Sequence, residues 1–159
     1  MLSFGYTDKL RRDLYMPGLG WRWRFGAGQT LGGWAEQVGT DLTFAVEPMV
    51  TGIFGDKTSV EAQIVPFVHM EPVRMRSRAW RPYFEGGIGI IYTGLEHLRL
   101  GSNVLFSDNL GIGVSFGSEE SRRWSRVSVG YRYRHISHAG IFGEPNSGMN
   151  THGIVLTLD

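Results

Sequence analysis

The sequence predicts an all-β protein, an eight-stranded antiparallel transmembrane β-barrel with a filled polar interior, forming one domain over residues 1–159. Three observations carry this expectation. Apolar residues alternate with period two in eight segments. Opposite the apolar side chains stand glycines, serines and charges. Glycine is over-represented, at 23 of 159 residues, beside 13% aromatics and with no collagen-like period.

The segments cover approximately residues 2–8, 14–25, 37–54, 59–72, 80–94, 107–118, 124–137 and 151–158. Stretches rich in Gly, Ser, Asp, Asn and Pro separate them, and no convincing helix, repeat or linker intervenes. Successive side chains of a strand point to opposite faces, so each segment offers two faces to compare. In the second, Leu19, Trp21, Trp23 and Phe25 oppose Gly18, Gly20, Arg22 and Arg24. The fifth sets Phe84, Ile88, Ile90 and Tyr92 against Glu85, Gly87 and Gly89. In the sixth, Leu110, Ile112, Val114 and Phe116 oppose Gly111, Gly113, Ser115 and Gly117. The seventh sets Val127, Val129, Tyr131 and Tyr133 against Arg126, Ser128, Gly130, Arg132 and Arg134.

A soluble, lipocalin-like barrel would bury the bulky face and leave glycines and arginines in water, where glycine only weakens a strand. A membrane barrel inverts the arrangement. Eight strands enclose a space just wide enough for side chains, so small residues make room for Arg22, Arg24, Arg132 and Arg134 to meet Glu47, Glu61 and Glu85. The apolar face then meets lipid, and closure satisfies every backbone donor and acceptor. Two features fit this reading less well. The chain ends in Leu158 and Asp159 rather than an aromatic, and residues 70–80 (MEPVRMRSRAW) are longer and more basic than a tight periplasmic turn.

Charge and composition remove other classes. Sixteen basic against 15 acidic residues argue against a large nucleic-acid-binding surface or an acidic tail. No cysteine is present, which excludes a disulfide framework and thiolate metal sites. His69, His97, His135, His138 and His152 are scattered, so no metal is expected. GGIGI has no helix after it and is no dinucleotide fingerprint; no cofactor is expected. No apolar run approaches the roughly 20 residues of a membrane helix, and none follows a basic start at the N-terminus. An export signal is therefore expected to have been removed.

The chemistry gathers where the seventh segment runs into RHISHAGIFGEPNSGMNTHG. Continuing the parity of Tyr131 and Tyr133 places His135 and Ser137 on the lipid-facing side. An imidazole there is costly unless it is paired or functional. The bland alternative is a histidine whose polar tip sits among headgroups. With both termini in the periplasm, the seventh strand ends at the extracellular rim, beside the outer leaflet. In a Gram-negative outer membrane that leaflet holds lipopolysaccharide, whose lipid A carries ester-linked acyl chains. Two residues on one strand face lie about 6.6 Å apart at the backbone, close enough for their side chains to lean together. A serine hydroxyl becomes a nucleophile when a neutral histidine takes its proton, and the histidine needs a partner to fix its tautomer.

His135-Ile-Ser137-His138-Ala139-Gly140, followed by Pro145-Asn146-Ser147-Gly148, resembles the His-x-Ser-Asn-Ala and Pro-Asn-x-Gly pattern of the lipid A 3-O-deacylase family. The resemblance is sharp over about 20 C-terminal residues and extends upstream as barrel layout. It implies an outer-membrane barrel that hydrolyses the acyl ester at the 3 position of lipid A by a Ser-His-acid mechanism. Lipopolysaccharide and outer-membrane lipids are then the partners. The oligomeric state stays open, a homodimer included. Two positions depart from the pattern: the asparagine after the serine is His138, and the catalytic glutamate falls on Asn150. An amide oxygen orients an imidazole but supplies no charge. Parity favours Asn150 as the third member over Glu144, which precedes Pro145 in the loop.

The backbone amides of Ala139 and Gly140 and the side chain of Asn146 are candidate oxyanion donors. Gly140, Asn146 and Gly148 are equally compatible with simple loop shaping. Lys9-Leu10-Arg11-Arg12 would lie on the extracellular side, either meeting lipid A phosphates or forming a solvated charge run. Two other readings remain: a non-catalytic structural barrel that lost activity with its acid, and a related esterase acting on phospholipid.

Overall fold

Strand β1 (Leu2–Thr7) pairs with β2 (Leu14–Gly20) on one side and with β9 (Met149–Leu158), the last strand, on the other, and this closes the sheet into a barrel. The computed structural model describes residues 1–7, 14–55, 58–95, 100–117, 126–142 and 147–158. Between these ends run β3 (Trp23–Gly26), α1 (Gly28–Gln37), β4 (Thr40–Ile53), β5 (Ser59–Pro72), β6 (Trp80–Thr93), β7 (Val104–Phe116) and β8 (Val127–Ser137). Every neighbouring pair is antiparallel. Both β2 and β3 pair with β4, so they are two halves of one barrel strand and the barrel has eight. The interruption falls opposite Pro48, which has no N–H to give the ladder; its carbonyl accepts from the Trp21 N–H at 3.0 Å.

Segment boundaries agree closely, with strand starts three residues earlier for β7 and two earlier for β9 than the alternation suggests. Helix α1 is a correction, since the sequence reading expects none. Leu31, Trp34, Ala35 and Val38 do have helical spacing, but Gly28, Gly32 and Gly33 lower the propensity and mask it. Only Ala35 of this helix is buried.

The two faces divide as expected. Leu19 and Ile88 are each 66% exposed and Ile112 58%, in an apolar outer wall that also carries Trp21, Trp23, Phe25 and Trp80. Strands β4, β5 and β6 have 14 residues each, ample for a bilayer that a tilted strand crosses in about 9–11. No helix among the described residues is long and apolar enough to cross a membrane.

Inside, Arg22 lies 2.6 Å from Glu47 and 3.0 Å from Glu85, and Arg132 bridges the same two carboxylates. Arg134 pairs with Glu61 at 2.8 Å. Both Arg22 and Arg132 lie over the Phe67 ring. Interior glycine is what lets this layer fit: a Cβ on Gly130 would stand 2.0 Å from the Tyr83 hydroxyl, and one on Gly111 2.7 Å from Glu85. Towards the end remote from the termini the filling turns apolar, with Leu14, Met16, Ile53, Ile91, Leu105, Ile136 and Met149 in one buried cluster. That plug backs the region where His135 and Ser137 lie.

Candidate active site

The site grows from the parity of β8. Arg132, Arg134 and Ile136 are buried inside, while Tyr131, Tyr133, His135 and Ser137 alternate with them on the outer face. Because Ile136 and Met149 belong to the apolar plug, the outward residues beside them have firmly seated neighbours.

Register then decides who meets His135. Its cross-strand partners are Asp108 on β7 and Asn150 on β9, both of outward parity. His135 Nδ1 lies 2.7 Å from Asn150 Oδ1. With the amide oxygen as acceptor, Nδ1 carries the proton and donates, leaving Nε2 unprotonated to accept from a hydroxyl. The Asn150 backbone is itself fixed, its main-chain carbonyl accepting from Thr7 Oγ1 at 2.6 Å across the β1–β9 seam.

Ser137, opposite Phe106, shares the outer face with His135. Among the described residues its hydroxyl has no hydrogen-bond partner, so the serine and histidine are neighbours without a closed bond between them. A looser nucleophile–base pair is common before substrate arrives. Gly148 supplies the wall behind the ring. Its φ is +57°, and a Cβ there would lie 2.9 Å from His135 Cε1 and 3.4 Å from Nε2. Only glycine combines this backbone with room for the imidazole.

After β8 the chain turns sharply. Ala139 and Gly140 have φ of +51° and +77°, and the Ile141 N–H donates to the His138 carbonyl at 2.9 Å. This is a type I′ turn, which leaves the Ala139 and Gly140 amides without protein partners among the described residues. His138 points inward and is fully buried, edge-on to Phe142, so its side chain is not part of the outer site. Glu144 and Asn146 lie outside the described residues, as do Lys9-Leu10-Arg11-Arg12 and His97.

Sequence reasoning missed Asp108. It shares parity with Leu110 and Ile112, so a carboxylate on the apolar face was the available signal. From Asp108 and Tyr133 a groove of about 710 Å³ runs over Leu110, Gly86 and Ile88 towards Pro66 and Val68. Gly86, lacking a side chain on the outer face, leaves its floor low. On the other side of His135, the Tyr131 hydroxyl lies 2.5 Å from His152 Nδ1, which stiffens the wall between β8 and β9. Among the described residues no group of three or more His, Asp or Glu side chains is arranged to hold a metal.

The crystal structure of the outer membrane enzyme PagL matches with a TM-score of 0.71, covering 98% of this chain and 96% of that one at 23% identity. Lipid A deacylase PagL of Pseudomonas aeruginosa is 32% identical over 77 residues, a stretch that covers 46% of this chain and 40% of that protein. The family model described as Lipid A 3-O-deacylase (PagL) matches residues 15–159, nearly the whole barrel. The chain therefore belongs to the lipid A 3-O-deacylase (PagL) family.

Proposed function

We propose that this chain is an outer-membrane serine esterase that removes the 3-hydroxyacyl chain esterified at position 3 of lipid A. The observation that carries the reading is the hydrogen bond from His135 to Asn150 on a lipid-facing wall, two residues from Ser137 on the same strand face. A neutral imidazole with its tautomer set in this way is a general base in a place where structural demands alone would favour an apolar side chain.

In the proposed reaction Ser137 Oγ attacks the ester carbonyl while His135 Nε2 takes the hydroxyl proton. The amides of Ala139 and Gly140 donate to the oxyanion, with Asn146 as a further donor. Collapse of the tetrahedral intermediate breaks the bond to the sugar oxygen, which His135 protonates. Water, deprotonated by His135, then attacks the acyl-serine, releasing a free 3-hydroxy fatty acid and restoring Ser137. Asn150 orients His135 throughout. We assign the charge that Asn150 lacks to Asp108, the residue opposite His135 on β7 and of the same outward parity. The groove beginning at Asp108 accommodates the departing acyl chain.

The neutral amide at position 150 favours a second reading, a barrel that keeps the fold without the activity. Refolded protein incubated with hexa-acylated lipid A in detergent decides between them by product mass. Loss of one 3-hydroxyacyl chain with wild type, and its absence with Ser137→Ala and His135→Ala, supports the hydrolase. Lipid A unchanged by correctly folded wild type supports the structural barrel, and turnover of phospholipid alone would assign a different ester.

A further inference from the structure

The basic stretch at residues 70–80 takes no part in the chemistry above, yet it builds a second site at the opposite end of the barrel. The β5–β6 ladder stops at Met70↔Phe84, although β5 continues to Pro72 along β4 and β6 reaches back to Trp80 along β7. Pro72 and Pro82 flank this open seam, and neither has an N–H with which to extend the ladder. On the inside the seam is closed by Arg81, 3.0 Å from Glu71. On the outside it leaves a groove of about 590 Å³.

The groove has held walls and a charged lip. Val38 and Gly39, at the end of α1, form one side, fixed by the Val73 N–H donating to the Gly39 carbonyl at 3.0 Å. Arg76 clamps the turn to the helix, 2.7 Å from Glu36 and 3.1 Å from Asp41. These pairs neutralise Glu36 and Asp41, and Arg81 and Arg126 neutralise Glu71. Arg74 lines the groove and Arg78 follows in the same turn. Both are exposed and make no side-chain hydrogen bond or ion pair among the described residues. Met70 and Phe84 continue the floor onto the apolar outer wall, with Trp80, four residues before Phe84, half-exposed, and Trp34 on α1 63% exposed.

We propose that this groove binds one phospholipid of the periplasmic leaflet whose headgroup carries net negative charge. Its phosphate meets Arg74 and Arg78, and one acyl chain lies over Met70 and Phe84. Two observations select this occupant: the cationic lip matches an anionic headgroup, and the floor is continuous with the lipid-facing wall. The site rests on the reading of the barrel as outer-membrane-spanning with both termini in the periplasm, and it is independent of any catalytic role.

Native mass spectrometry of the refolded protein in neutral detergent, titrated with phosphatidylglycerol or phosphatidylethanolamine, tests it. One phosphatidylglycerol should be retained at about tenfold lower concentration than phosphatidylethanolamine. Arg74→Gln with Arg78→Gln should abolish the preference, and the corresponding lysine pair should keep most of it. Thr40→Trp, which fills the groove, should lower retention of phosphatidylglycerol. Inorganic phosphate should not displace the lipid, and Ser137→Ala should bind as wild type does, so that failure of the esterase reading leaves this result untouched. Equal retention of the two lipids, an unchanged preference in the glutamine pair, undiminished binding by folded Thr40→Trp, or displacement by phosphate would each overturn the proposal.

Discussion

His135 Nδ1 donates to Asn150 Oδ1 at 2.7 Å, so the side chain that orients the imidazole is an amide where the family pattern has a carboxylate. An amide holds the tautomer and the ring plane. It adds nothing to the stability of the imidazolium that the proposed mechanism requires.

Substitution at position 150 separates these two contributions. Asn150→Ala should lower the rate of lipid A deacylation by about 10–100-fold, as loss of an orienting partner commonly does for a functional histidine. Asn150→Asp keeps an oxygen in place and adds charge, so it should match or exceed wild type. Product mass against time measures both.

Asp108 stands on the other flank of His135. An exposed carboxylate one ladder rung away adds roughly 0.2–1 kcal/mol to a cation, so Asp108→Asn should lower kcat by about two- to fivefold. The same change in an Asn150→Asp background should cost less, because the charge is then supplied twice; a double-mutant cycle with additive losses would refute the shared role.

Gly148 is the tightest steric constraint on the site. Alanine there must adopt φ near +57° and push against His135 Cε1 from 2.9 Å. Gly148→Ala should reduce deacylation by about 100-fold, since a displacement of about 1 Å at a catalytic group costs that much. The barrel should still fold, at a cost of about 1–2 kcal/mol for the left-handed backbone. Heat-modifiable gel mobility reports the fold, and turnover reports the site.

The interior predicts a stability effect without a catalytic one. Glu47 is wholly buried between Arg22 and Arg132, so Glu47→Gln leaves two buried cations short of a counter-charge. Breaking such a pair costs about 3–5 kcal/mol. Urea unfolding in detergent should show the loss, and the residual folded fraction should deacylate at the wild-type rate.

Much of the molecule is legible in the sequence alone. Alternation in Leu19, Trp21, Trp23 and Phe25 identified the lipid-facing wall, and the glycines opposite explained how arginines fit inside. The polar filling is nonetheless incomplete, because Ile53, Ile91, Leu105 and Ile136 form an apolar plug at one end. Single strands do not reveal this, since the plug is assembled from one or two inward residues of many strands. Helix α1 is hidden by its glycines, and the place of Asp108 opposite His135 by its dependence on the β7–β8 register.

The sequence by itself determined which residues share a face, because the pleat of a strand has period two and depends on nothing beyond that strand. His135 and Ser137 on the outer wall, and Arg132 and Arg134 within, follow from that rule. Only the tertiary structure decided that Asp108 and Asn150 bracket His135, that Gly148 backs its ring, and that β5 and β6 part below Met70. Those relationships depend on register between strands remote in sequence, and a shift of one residue would turn each of these side chains to the other face.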